Sequence, residues 1–229
     1  MIKATYYGHS SVGLQLEGAS VLFDPFISPN PQAAQIDINS LKPDYILLSH
    51  AHDDHVADVV AIQKNSNAKV LAVVETAMWV NRQDIPESDI IPFNFGGTVQ
   101  TSFGTVKMVY ALHTNVAPDG QYAGVPAGYV LQSGGKKIYF AGDTALTMEM
   151  KLLEPLGLDW AFLPIGGHFT MDVDDAIIAC GFINCKNVVG IHYNTFPPIT
   201  IDTAEAKRKF TEAGLNLHLP GIGEELTLS

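Results

Sequence analysis

Tyr45-Ile46-Leu47-Leu48-Ser49-His50-Ala51-His52-Asp53-Asp54-His55 joins a short apolar run to a dense set of metal-binding groups. The apolar part has the length and β-branched or bulky character of a buried strand. It empties into a hexad of form H-x-H-x-D-H. On an extended strand exit, residues two apart point to one side, so His50 and His52 can chelate a single ion. Asp54 and His55 follow where the chain bends toward a helix predicted from Val56, and there they can address a second ion. A helix running through the hexad would instead splay positions two apart. The start of the following helix adds partial positive charge, which favours a carboxylate nearby. The hexad contains no thiolate, so it reads as a mixed nitrogen and oxygen site and not as a structural zinc cage.

Working outward, the same grammar recurs. The run Val106–Leu112 ends on His113, Lys137–Gly142 on Asp143 and Val188–Ile191 on His192. His9 follows Ala4–Gly8, and His168 follows Ala161–Ile165 after a Gly166-Gly167 pair. Ligand sites at the carboxyl ends of sheet strands are an architectural habit of parallel sheets. The spacing therefore predicts His50, His52 and His113 on one ion and Asp54, His55 and His192 on another. Asp143, with two oxygens, would lie between them. These assignments use five of the eight histidines.

Strands are predicted over 3–7, 12–16, 20–23, 45–48, 69–74, 106–111, 128–132, 137–141, 160–163 and 188–191. Helices are predicted over 56–64, 76–80, 147–154, 173–182 and 203–213. Asp202 can cap the last helix and Gly214 can end it. Strands interleaved with helices imply an α/β fold with sheets covered by helices. The loops 26–41, 114–127 and 193–199 are long enough to serve as binding or lid segments.

A length of 229 residues fits one domain spanning 1–229. With 47 % hydrophobic and 16 % charged residues, the chain is neither disordered nor a small stapled scaffold. The formal charge of −11 leaves no extended basic surface for nucleic acid. Lys207-Arg208-Lys209, the most basic run, reads as the solvated side of a helix. No apolar run approaches the roughly 20 residues that cross a bilayer. The start of the chain lacks a signal-peptide build, so a cytoplasmic location is expected. Cys180 and Cys185 lack the spacing of a zinc knuckle or a redox pair and read as reduced, buried thiols.

These motifs together resemble the metallo-β-lactamase superfamily, whose H-x-H-x-D-H stands here intact, followed by His113, Asp143 and His192 in order. Gly8-His9-Ser10, Phe23-Asp24-Pro25 and Gly142-Asp143-Thr144 look more narrowly like its small metal-dependent hydrolase branch, related to ascorbate-phosphate lactonases. The resemblance implies an αββα sandwich with the metals at one rim.

Two divalent cations at such a site, zinc first and manganese, iron or nickel as alternatives, lower the pKa of bound water toward about 7 and polarise a carbonyl or phosphoryl oxygen. Hydrolysis of an ester, lactone or phosphodiester in a small, even anionic, substrate is the expected reaction. Asp54 is the candidate to orient the hydroxide and carry a proton to the leaving group. His168 is the candidate to donate to a substrate oxygen. His9 reads as a structural histidine more readily than a substrate contact, and His218 receives no role. Asp24 can fix a ligand histidine from behind, although an Asp-Pro turn explains it nearly as well. Trp79, Tyr193 and Phe196 read as core or lid packing. Two rival readings keep the ligands: an iron-dependent redox enzyme on the same fold, and a metal-binding module without turnover. Oligomeric state stays open, a homo-oligomer included.

Overall fold

Strand β4 (Tyr45–Leu47), which leads into the hexad, is enclosed on both faces. Leu47 points into the core between two sheets, whereas Ile46 and the following Leu48 point to a layer of helices. This two-sided burial explains why the run is continuously apolar and does not alternate with polar residues. The structure, a computed structural model, describes residues Met1–Ser229.

Two seven-stranded sheets are built to one plan. In the first, β1 (Ile2–Gly8), β2 (Ser11–Gln15) and β3 (Ser20–Phe23) form an antiparallel meander. It continues as parallel strands β3, β4, β5 (Lys69–Val73) and β6 (Ile90–Phe93). In the second, β7 (Thr98–Thr101), β8 (Gly104–Tyr110), β9 (Ala127–Ser133) and β10 (Lys136–Phe140) are antiparallel. Strands β10, β11 (Trp160–Pro164), β12 (Asn187–Ile191) and β13 (Asn216–His218) then run parallel. Strand β14 (Glu225–Leu228) returns to pair antiparallel with β1.

The sheets pack face to face. Phe23 and Phe140 stack across the core with centroids 4.1 Å apart, beside Tyr129 and Phe162. Helices α1 (Asp53–Val56), α2 (Val59–Ser66) and α3 (Val74–Asn81) cover the first sheet, with Ile62, Trp79 and Val80 against Ile46 and Val70. Helices α4 (Val173–Ile183) and α5 (Thr203–Glu212) cover the second through Ala176, Ile183 and Phe210. This is the αββα sandwich.

The direction of the strands collects the site. β1, β3 and β4 run one way in the first sheet, and β8, β10, β11 and β12 run one way in the second. The carboxyl ends of these strands meet along one rim. There Gly142 comes so close to Ser49 that an added Cβ would lie 2.6 Å from the serine Cβ, and its φ is +62°. Glycine at this place lets the Asp143 strand end touch the His50 strand end.

Four strands escape the sequence pattern: β6, β7, β13 and β14. All four are short and only partly buried, and β6 carries Pro92, so each offers too few residues for a strand pattern to stand out. The predicted helix 56–64 is two helices. The buried Asp58 carboxylate accepts from Ile27 N and Ser28 N at 2.6 and 2.8 Å, pinning the break. The predicted helix 147–154 is a 3-10 segment, Met148–Leu156, which contains Pro155. Helix α1 also begins earlier than expected, so Asp54 and His55 lie within its single turn. Asp202 caps α5 by accepting from Ala204 N and Glu205 N. No helix is long and apolar enough to cross a membrane.

Candidate metal centre

Seven side chains from four strand ends, those of β4, β8, β10 and β12, converge at the rim. His50, His55, Asp143 and His192 are buried, while His52, Asp54 and His113 are partly open. His50, His52 and His113 present ligand atoms within 4.8 Å of one another. His50 Nε2 and His52 Nδ1 are 2.9 Å apart, close enough for one ion to contact both. A second group of the same compactness contains Asp54, His55, His192 and also His9. Asp143 stands between the groups: its Oδ2 lies 3.0 Å from His192 Nε2, 3.4 Å from His55 Nε2 and 3.6 Å from His113 Nε2.

Tautomers follow from the surrounding bonds. Asp24 Oδ2 accepts from Ser49 Oγ at 2.6 Å and from His55 Nδ1 at 2.9 Å, and Asp24 Oδ1 accepts from Ser49 N at 2.8 Å. The Ser49 proton being committed, Ser49 Oγ must accept from His50 Nδ1, 2.9 Å away. In their neutral, metal-binding form His50 and His55 therefore both turn an Nε2 lone pair toward the rim. His55 Nε2 and Asp143 Oδ1 are buried without a hydrogen-bond partner. Buried polar atoms are seldom left so, and this donor set of imidazoles and carboxylates fits divalent cations.

The charge distribution is equally marked. Burial works to raise Asp143, but His192 and His55 outweigh it and hold the carboxyl well below its ordinary range. Burial works to lower His55, and Asp143 and Asp24 carry it well above an ordinary imidazole. Burial also opposes ionisation of Asp54, yet the His9 hydrogen bond and the His55 charge keep it low. Desolvation is the main cause pulling His50, His52 and His113 down, and it takes His9 to about 4. Burial lifts Asp24 against the pull of His55.

A cavity of about 330 Å³ opens over the centre, lined by Thr114, Phe169 and the open faces of His52, Asp54, His113, Asp143 and His192. The β-lactamase superfamily domain matches residues 19–193, most of the chain.

The chain belongs to the metallo-β-lactamase superfamily.

Relatives in this superfamily resemble it over their full length. A UPF0173 metal-dependent hydrolase of Flavobacterium johnsoniae is 48 % identical over 229 residues, covering 99 % of this chain and 100 % of the relative. A Thermus thermophilus protein of the same designation is 42 % identical over 228 residues, with full coverage of both. Among solved structures, Igni18, a metallo hydrolase from the archaeon Ignicoccus hospitalis, is 33 % identical with a TM-score of 0.87. That similarity covers 98 % of this chain and 97 % of Igni18.

The metallo-β-lactamase fold leaves His168 outside the convergence. It sits exposed on the turn after β11 with φ +58°, its ring edge-on to Phe169 at 4.4 Å, and does not line the cavity. His218 packs on Trp160, apart from both groups. Trp79 belongs to the helical layer and donates to Asp119. Tyr193 stacks on Tyr6, and Phe196 packs on His9.

Two participants carry little signal in the sequence. His9 joins the second group, where a structural role had the better claim. Asn115 accepts from Ala51 N at 2.9 Å and donates to Ala123 O at 2.7 Å, tying the hexad to loop 114–127. An asparagine within a Pro-Asp-Gly loop looks like turn chemistry.

Proposed function

We propose that this chain is a metal-dependent hydrolase that adds water across an ester or lactone bond of a small substrate bearing little charge of its own. One observation carries the reading: two groups of ligand atoms converge on the Asp143 carboxylate at the floor of a cavity that Asp54 also lines. His50, His52 and His113 would hold one cation, and Asp54, His55 and His192 the other, with Asp143 between. Zinc is the first choice and manganese, iron or nickel the alternatives. When bound, the cations would supply Lewis acidity and a water that ionises near neutral pH.

The chain's own groups do the rest. Asp54 Oδ2 is tied to His9 at 3.1 Å, leaving Oδ1 free of protein hydrogen bonds at the cavity wall. A carboxylate held ionised and open to the cavity can take the proton of an attacking water and return it to the leaving oxygen. His168, packed against the cavity-lining Phe169, is the candidate to donate a hydrogen bond to a substrate oxygen, with Phe169 offering an apolar wall. No lysine or arginine lines the cavity, so an ionised substituent would find no side-chain counter-charge there. This favours uncharged substituents on the substrate, and carbonyl esters and lactones come first in the class on that ground.

The test is a panel of esters, lactones, amides and phosphodiesters turned over by metal-quantified protein, with Asp143→Ala as the blank. Neutral esters or lactones should give the highest kcat/KM. Turnover no higher than the blank across the whole panel rejects the hydrolase reading.

A further inference from the structure

His9 directly follows β1 in the first sheet, and its contacts reach Asp54 and His192 of the candidate centre. Gly8 and His9 have φ of +101° and +54°, so the chain turns sharply where the strand ends. A non-glycine residue is held in the left-handed region only when surrounding contacts over-determine it. Here they do. Its carbonyl oxygen accepts from His192 N at 2.8 Å and from the Tyr6 hydroxyl at 3.1 Å. The ring is wholly enclosed, with centroids 4.2 Å from His192, 5.3 Å from Phe196 and 5.6 Å from Phe26.

Both ring nitrogens are engaged. Nε2 lies 3.1 Å from Asp54 Oδ2, and Nδ1 lies 3.0 Å from Thr195 Oγ1. Asp54 is acceptor-only when ionised, so Nε2 carries the proton and Nδ1 accepts from the Thr195 hydroxyl. His192 Nδ1 is itself buried without a partner. The outer support that a ligating imidazole usually finds at its second nitrogen is therefore missing for His192, and its backbone bond to His9 takes that place.

We propose that His9 is a positioning residue that clamps Asp54 through its side chain and His192 through its backbone, locking two ligands from opposite sheets into one geometry. This rests on the assignment of Asp54 and His192 to the second cation proposed above. Thr195, on the loop after β12, completes the clamp by fixing the tautomer of His9.

Zinc affinity and stoichiometry, read by competition with a chromogenic chelator alongside thermal unfolding of each metal-free protein, test it. His9→Ala should weaken zinc binding at one of two sites by about 10–100-fold, the usual effect of removing an outer support. His9→Gln keeps an N–H donor for Asp54 and should recover affinity to within about threefold of wild type. Thr195→Val should lose about threefold to tenfold, and it decides the matter should both His9 variants fail to fold. Wild-type affinity in His9→Ala overturns the proposal, as does unchanged affinity in Thr195→Val. Equal loss in His9→Ala and His9→Gln overturns it too, because His9 would then be a ligand or a filler. Zinc binding that follows the expected pattern without any turnover leaves the clamp standing and sinks the hydrolase reading alone. A wild-type chain that takes up no zinc overturns both.

Discussion

His55 Nδ1 donates to Asp24 Oδ2 across 2.9 Å, with both side chains wholly enclosed. Asp24 is the first residue beyond β3 and takes φ +41°, so its carboxylate turns back beneath the hexad. The same carboxylate also collects both Ser49 donors, and Ser49 in turn sets His50. One acid thus fixes a histidine in each ligand group.

Asp24→Asn should separate geometry from charge. The amide can still accept from Ser49 N, and asparagine tolerates a positive φ. Its NH₂ would face the Nδ1–H of His55, donor against donor, and push His55 to the tautomer whose Nε2 carries the proton. Zinc affinity should fall by about 10–100-fold with the fold retained by circular dichroism. Affinity equal to wild type would remove Asp24 from the support of the centre.

Much of this was legible in the sequence, for a physical reason. Strands buried on both faces are continuously apolar, so a histidine or aspartate at their ends stands out against Leu47, Phe140 or Ile191. Residues that act through hydrogen bonds made from loops leave no such contrast. Asn115 sits in a turn-like segment, and Thr195 lies in a loop whose folding back onto His9 depends on β12 meeting β1 across the rim. The edge strands β7 and β13 were hidden likewise, because half-exposed strands of three or four residues are too short for their alternation to be recognised.

Removing Asp143 should be the most damaging single change at the rim. Its Oδ2 stands within 3.6 Å of three imidazoles, so Asp143→Ala takes away the one acid shared by both groups. Bound metal by mass spectrometry should drop to one ion or none, with hydrolysis lost. Chelation of the wild type should abolish activity, and zinc or manganese should restore it. Hydrolysis that persists after verified metal removal rejects the metal-dependent mechanism.

His168→Ala tests a group packed behind Phe169 of the cavity wall. Its ring touches Phe169 and makes no protein hydrogen bond, so its loss should disturb neither fold nor metal content. A hydrogen-bond donor to a substrate oxygen that gains charge in the reaction contributes typically about 10²–10³-fold. The exposed position of His168 argues for the lower end, a fall in kcat of about 100-fold with KM little changed. An unchanged kcat assigns His168 to the surface.

The two cysteines make a prediction about pH that is independent of the metal centre. Cys180 on α4 and Cys185 just beyond it are both buried. Burial pushes their thiols up to about 12 and about 11, with the neighbouring Cys185 adding to the shift at Cys180. An unfolded thiol ionises near pH 8.5. Between that pH and 11 the unfolded chain releases protons that the native chain retains. Stability from these groups is then fully present below about pH 8.5 and declines as pH rises toward the folded values. Each thiol can contribute a slope of up to about 1.4 kcal/mol per pH unit in that window. Urea unfolding at pH 7, 9 and 10 should show a steeper loss in wild type than in a Cys180→Ala, Cys185→Ala double variant at equal metal load. Native protein at pH 7.5 should also resist maleimide, since the thiolate is the reactive form. Equal pH slopes in the two proteins, or prompt labelling of the native chain, would show that these thiols are not held neutral in the core.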